Sequence, residues 1–118
     1  PDFFFSKLEL DGTAHEDWID LKASLTVHLV VADRWVYVPM RFDQASLLDY
    51  KHSGSGDIAS PADSQRPRGL SWLLRGAGNH QLQMTLRVPL RKTPTGDLLQ
   101  LELPEMRYFT GKLTLRLP

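Results

Sequence analysis

The sequence predicts an all-β domain, an antiparallel sandwich of about seven or eight strands with a small closed barrel as the alternative. Two observations predict it. Apolar and polar residues alternate with a period of two: Leu82, Met84, Leu86, Val88 and Leu90 against Gln81, Gln83, Thr85, Arg87 and Pro89, then Leu99, Leu101 and Leu103, then Leu113, Leu115 and Leu117. Only an extended strand puts every second side chain on one face. Turn residues also recur at the short spacing of a sandwich, and no stretch has helical amphipathicity.

Asp2 to Leu10 opens on Phe3, Phe4 and Phe5 and continues as Lys7, Leu8, Glu9, Leu10, a strand with an aromatic end. Asp11 and Gly12 supply turn chemistry that would end it. Thr13 to Asp20 reads as a loop or as one helical turn capped by Thr13 and answered by Glu16. From Leu21 to Val31 the odd positions are apolar, which gives a long strand; Asp33 and Arg34 turn it into a second, Trp35 to Phe42. There Val36, Val38, Met40 and Phe42 share one face, and Trp35, Tyr37, Pro39 and Arg41 the other. Pro39 cannot donate to a ladder and marks an edge, a bulge or a strand end. Leu47 to Lys51 continues the sheet briefly.

Residues 52–69 are rich in Gly, Ser and Pro and read as a mobile loop, so that shortening Ser53 to Arg66 is expected to cost little stability. Leu70 to Arg75 is a strand carrying Trp72, Gly76 to Asn79 a tight connection, and Pro94 to Asp97 a further turn. Pro104 ends the strand that Leu99 begins.

A chain of 118 residues is the size of one domain, and residues 1–118 are read as one. Fourteen basic and fourteen acidic residues cancel and are interspersed, which argues against nucleic acid as a partner. With no cysteine, disulfides, thiolate metal sites and cysteine nucleophiles are excluded. The longest aliphatic run, Leu29 to Ala32, is far short of the ~20 residues of a membrane-spanning helix. The chain starts at Pro1 and stops at Pro118 directly after a strand pattern, which reads as a domain processed or excised from something longer.

Several groups of residues invite chemistry. Asp11, His15, Glu16, Asp17 and Asp20 gather hard oxygen ligands but lack the alternate-position carboxylates and closing glutamate of the helix-loop-helix calcium motif, and a solvated acidic loop accounts for them. Among the histidines, His28 falls on the polar face of a strand, and His80 follows a glycine turn where its ring can bond to the backbone, a structural role. Ser53 and Ser55 beside His52 and Asp57 have the ingredients of nucleophilic catalysis without a rigid scaffold. Gly76 and Gly78 lead into a strand, so they make a turn and not a phosphate cradle. Trp18 and Trp72 read as core plugs. No catalytic residue, metal ligand set or cofactor is therefore expected. The binding residues are Trp35, Tyr37 and Arg41, an aromatic strand face that is either covered by a neighbouring loop or open to a protein or a glycan.

The segments Trp35-Val36-Tyr37-Val38-Pro39-Met40, Gly69-Leu70-Ser71-Trp72-Leu73-Leu74-Arg75-Gly76, Gly78-Asn79-His80, Val88-Pro89-Leu90 and Leu101-Glu102-Leu103-Pro104 resemble an uncharacterised β-sandwich domain of large envelope-associated proteins of planctomycete-type bacteria. The resemblance spans Leu25 to Pro118, and its motifs are structural. It implies a non-catalytic structural or protein-interaction module within a larger bacterial envelope or extracytoplasmic protein. Its expected partners are other domains of that protein or a separate protein, with a carbohydrate-binding module as the alternative.

Overall fold

The computed structural model describes residues 2–60, 69–99 and 101–104, and the backbone of 112–116. The described residues form ten strands and no helix: β1 (Phe3–Ala14), β2 (Trp18–Leu29), β3 (Val36–Arg41), β4 (Ser46–Gly54), β5 (Asp57–Ala59), β6 (Leu70–Arg75), β7 (Gly78–Pro89), β8 (Arg91–Thr93), β9 (Gly96–Leu98) and β10 (Lys112–Arg116). Eight of them make two sheets, ordered β10-β1-β2-β7-β4 and β3-β6-β5, while β8 and β9 form a separate ribbon. Neither sheet closes into a barrel, and one apolar core draws on both. The fold is a β-sandwich.

Alternation becomes burial almost residue by residue. In β2 the odd positions Ile19, Leu21, Ala23, Leu25, Val27 and Leu29 are buried; in β7 the even positions Leu82, Met84, Leu86 and Val88 are. The smaller sheet answers with Val36, Val38, Met40, Trp72 and Leu74. Burying one large aliphatic side chain contributes roughly 1.5–3 kcal/mol, so the parity of these strands is what drives the sheets together. In β1 a bulge between Phe5 and Lys7 exchanges the parity. Phe5 is buried before it, and Leu8 and Leu10 after it.

Four features depart from the sequence reading. β1 does not end at Asp11 and Gly12 but pairs with β2 as far as Ala14↔Ile19. The segment 13–20 is therefore a strand end, the short loop 15–17 and a strand start, with neither a helical turn nor a long loop. Buried Gly12 opposite Leu21 is a ladder residue, because the hydrogen bonds of a hairpin of two twelve-residue strands outweigh local turn preference.

Part of the expected loop 52–69 is also strand: His52 to Gly54 end β4, and Asp57–Ala59 is β5, paired with β6; residues 61–68 lie outside the described residues. Shortening from Ser53 would thus remove ladder residues, contrary to the small cost expected. The alternating leucines Leu99, Leu101 and Leu103 pack against the core without joining a ladder. An extended segment lying on apolar surface satisfies the same parity, and here Glu102 C=O accepts the Phe42 N–H at 2.8 Å. Finally, β10 runs parallel to β1. A strand arriving at the β1 edge from the β8–β9 ribbon through a long connection is free of the antiparallel direction a hairpin imposes.

The links β4 to β5 and β6 to β7 both cross from one sheet to the other and stack at one corner of the sandwich. Ser55 N–H bonds Asn79 C=O at 3.0 Å there. Gly56 (φ 77°) and Gly76 (φ 110°) approach so closely that a Cβ on Gly56 would lie 1.9 Å from Arg75 O. Only glycine supplies both the backbone angle and the room.

Candidate functional site

The outward faces of the two sheets differ in chemistry. The larger sheet presents rows of cross-strand polar neighbours: Lys7, Thr26, Gln81 and Ser53 in one, Glu9, Ser24, Gln83 and Lys51 in the next. A shallow depression of about 450 Å³ lies over them. Lys7 and Glu9 pair at 3.2 Å within this face, and Ser53 Oγ donates to Gln81 at 3.4 Å.

The smaller sheet turns an aromatic and aliphatic face outward. Trp35 is 42 % exposed and Tyr37 40 %. Tyr37 lies opposite Leu73, which lies opposite Ala59, so a ring, a half-buried leucine and an alanine run across all three strands. Pro39 extends the patch along β3 opposite Ser71. The Arg75 guanidinium stands 6.0 Å from the Trp35 ring, and Asp57 lies opposite Arg75. The patch is thus apolar in the middle and charged at one rim, and β3 beside it is an edge strand, as Pro39 signalled.

Of the residues singled out in the sequence, Trp35 and Tyr37 share this open face, and Arg41 does not follow them by parity. A bulge between Pro39 and Arg41 shifts the register, so that Arg41 pairs with Leu70. Arg41 and Phe42 take left-handed backbone angles, φ 65° and 52°. The Arg41 guanidinium forks onto Asp43, Nε to Oδ1 at 3.0 Å and Nη2 to Oδ2 at 2.8 Å. A two-pronged charge-assisted pair of this kind holds the guanidinium at the β3 turn.

Trp72 is the core plug the sequence suggests, 2 % exposed, with the Tyr50 ring tilted against it at 4.5 Å. Trp18 is not. Its parity opposes buried Ile19, which puts it on the wet face, stacked on His15 at 4.9 Å with the Arg87 guanidinium 4.8 Å from its ring.

The acidic group beside Trp18 is matched by cations. Asp20 accepts from Arg87 at 3.0 Å and contacts His15 at 3.0 Å, and the Arg87 hydrogen bond holds its carboxyl below the usual range despite some opposing desolvation. Lys92 donates to the Glu16 carbonyl, pairs with Asp97 at 3.1 Å and stands 3.9 Å from Asp17. These carboxylates face cations and so form an ion-pair network around the hairpin loop.

The histidine pair at the corner is the feature sequence reasoning half missed. Fully buried His80 bonds the Gly76 carbonyl through Nε2 at 2.7 Å, the structural role expected. Because that carbonyl only accepts, Nε2 carries the proton of the neutral ring and Nδ1 accepts. His52 Nε2 completes the chain by donating to His80 Nδ1 at 2.9 Å. Burial, and then proximity to His80, lower the His52 pKa, with Asp57 opposing. His52 faces His80 and Ser53 bonds Gln81, so neither bond joins a serine to a histidine. Only the register of β4 with β7 brings residues 52 and 80 together, which is why no local motif announces them.

His28, on the polar face as expected, bonds Asn79 at 2.9 Å and lies under Phe4 at 4.9 Å. Comparison of the chain with protein-family models and with curated proteins finds no match to either.

Proposed function

We propose that this chain is a non-catalytic protein-interaction module, a β-sandwich carried in a larger bacterial envelope or extracytoplasmic protein, that meets its partner through the outer face of the β3-β6-β5 sheet. One observation carries the reading: the middle of the larger sheet's outer face is rows of polar side chains, with its rings Phe4 and Trp18 at the two ends lying on His28 and His15, whereas the smaller sheet keeps Trp35 and Tyr37 about two-fifths exposed beside Leu73, Pro39 and Ala59. Rigid rings set among aliphatic groups with a charged rim are the composition of a protein contact surface. The location in a larger envelope protein rests on the resemblance of the segments quoted above.

A carbohydrate-binding role for the same rings is the second reading, favoured by the spacing of Trp35 and Tyr37 two residues apart on one exposed face. Against it, Arg41, the polar group in line for a sugar, is engaged by Asp43.

The test pairs a displayed peptide library with a glycan array, using the intact chain and a Trp35→Ala/Tyr37→Ala variant. Peptide ligands that bind the first and not the second, at unchanged melting temperature, support the protein-contact reading. Binding confined to glycans replaces it with the carbohydrate one. A large loss of melting temperature in Trp35→Ala refutes both, since it makes the ring a structural element.

A further inference from the structure

The open edge of the larger sheet carries a separate message. β4 is its outermost strand, and no described residue pairs with the far side of β4. Ser55 N–H bonds Asn79 C=O in step with the register Gly54↔His80. Bonded positions alternate along an antiparallel ladder, so Asp49, Lys51 and Ser53 turn their backbone groups to β7, and Tyr50 and His52 turn theirs to the open side. The run Asp49 to Gly54 keeps an unbroken register; the irregularity in β4 lies before it, between Leu47 and Asp49. Beside this edge Leu48 is 53 % exposed and Tyr50 44 %.

We infer that this edge binds a second copy of the same chain, antiparallel, about a two-fold axis through Tyr50, joining two five-stranded sheets into one. The strand is self-complementary about that axis. Asp49 falls opposite Lys51 of the partner subunit, and Lys51 opposite Asp49 of the partner subunit. Opposite residues of an antiparallel pair share a face, so both ion pairs lie on the polar outer face. The Tyr50 rings meet on the inner side, where each already packs against Trp72.

A lone lysine on an exposed edge discourages strand addition. Here the lysine also selects a register, because an axis through Lys51 sets lysine against lysine and one through Asp49 sets aspartate against aspartate. The backbone agrees, since the Tyr50 axis pairs residues whose N–H and C=O point outward. The surface is isologous, the commonest arrangement of homodimers, and is distinct from the Trp35 and Tyr37 face.

The test is the molar mass of the intact chain by sedimentation equilibrium over a dilution series reaching about 1 mM, where even weak self-association shows. The expected species is twice the 13.4 kDa monomer, dissociating on dilution. Lys51→Asp and Asp49→Lys each set like charges opposite one another twice and raise the dimer Kd at least about tenfold. Mixing these two variants, or combining both changes in one chain, restores the attraction and the dimer. Tyr50→Pro removes an outward N–H, which an edge strand tolerates, and abolishes association while the melting curve stays cooperative. A chain monomeric throughout overturns the inference. So does a dimer indifferent to Lys51→Asp, or one that the charge exchange fails to restore.

Discussion

Replacing His80 by alanine is the sharpest probe of how the two sheets are joined. The ring is fully buried, and it bridges the Gly76 carbonyl at 2.7 Å and His52 Nε2 at 2.9 Å. His80→Ala removes one acceptor and one donor from the middle of a chain of three groups. A buried polar group left unpaired costs about 1–3 kcal/mol, and two are left. Water reaches half-buried His52 more readily than the corner carbonyl, which lowers the sum, while the void left by the ring adds to it. The expected loss is about 3–5 kcal/mol, a large share of the ~5–15 kcal/mol of a typical domain. Urea unfolding followed by tryptophan fluorescence measures it, and His80→Phe, which keeps the volume but neither bond, separates packing from hydrogen bonding. His52→Ala, where solvent can replace the lost partner, should cost about 0.5–1.5 kcal/mol. A cycle with His80→Ala should then show the two sites coupled. A loss below about 1 kcal/mol for His80→Ala would refute the reasoning that the bridge holds the corner.

Stability should be greatest above pH 6.5 and fall as the pH drops from 6.5 towards the lowered folded value of His52, because the unfolded chain takes up the proton first; His52→Gln should flatten that slope in pH-dependent melts. Gly56→Ala, whose Cβ would sit 1.9 Å from Arg75 O at φ 77°, should lower the melting temperature far more than Gly96→Ala, at φ 138° with nothing within 4 Å, where only backbone strain of ~1 kcal/mol applies. Asp20→Asn should cost under about 1 kcal/mol at neutral pH, since the pair with Arg87 is solvent-screened. What Asp20 contributes is present above its unfolded value of 3.8 and is lost as the pH falls through its lowered folded value, so native and variant stabilities should converge in acid. Phe42→Ala should cost about 3–5 kcal/mol, because this fully buried ring also anchors two left-handed backbone positions.

The strands that build the core were legible because burial imposes parity and parity is written in the side chains. β2, β3, β6 and β7 lie within a few residues of where alternation puts them. What alternation does not encode is which strand neighbours which. The residues around Gly76 read as a tight link, and they do connect β6 to β7, yet they carry the chain from one sheet to the other. Composition likewise misread β5: Asp57, Ile58 and Ala59 sit among Gly and Ser and are strand only because β6 offers them a ladder. At the site, Trp35 and Tyr37 were visible from parity alone; Pro39 signals an edge, a bulge or a strand end without choosing among them, so the pattern does not show that Arg41 is taken out of line.

The parallel contact of β10 with β1 sets an order of events on the ribosome. Residues 9–13 of the first strand take neighbours from both ends of the chain, residues 20–24 on one side and 112–116 on the other. The hairpin can zip early, but its outer flank stays bare until its partner strand, 103 residues further along by the register Thr13↔Arg116, has been made. Contacts that distant form slowly, and an uncovered flank is where nascent chains catch one another. Truncation before residue 112 should therefore shift the chain from soluble to aggregated in a synthesis-coupled sedimentation assay, even with most of the apolar interior intact.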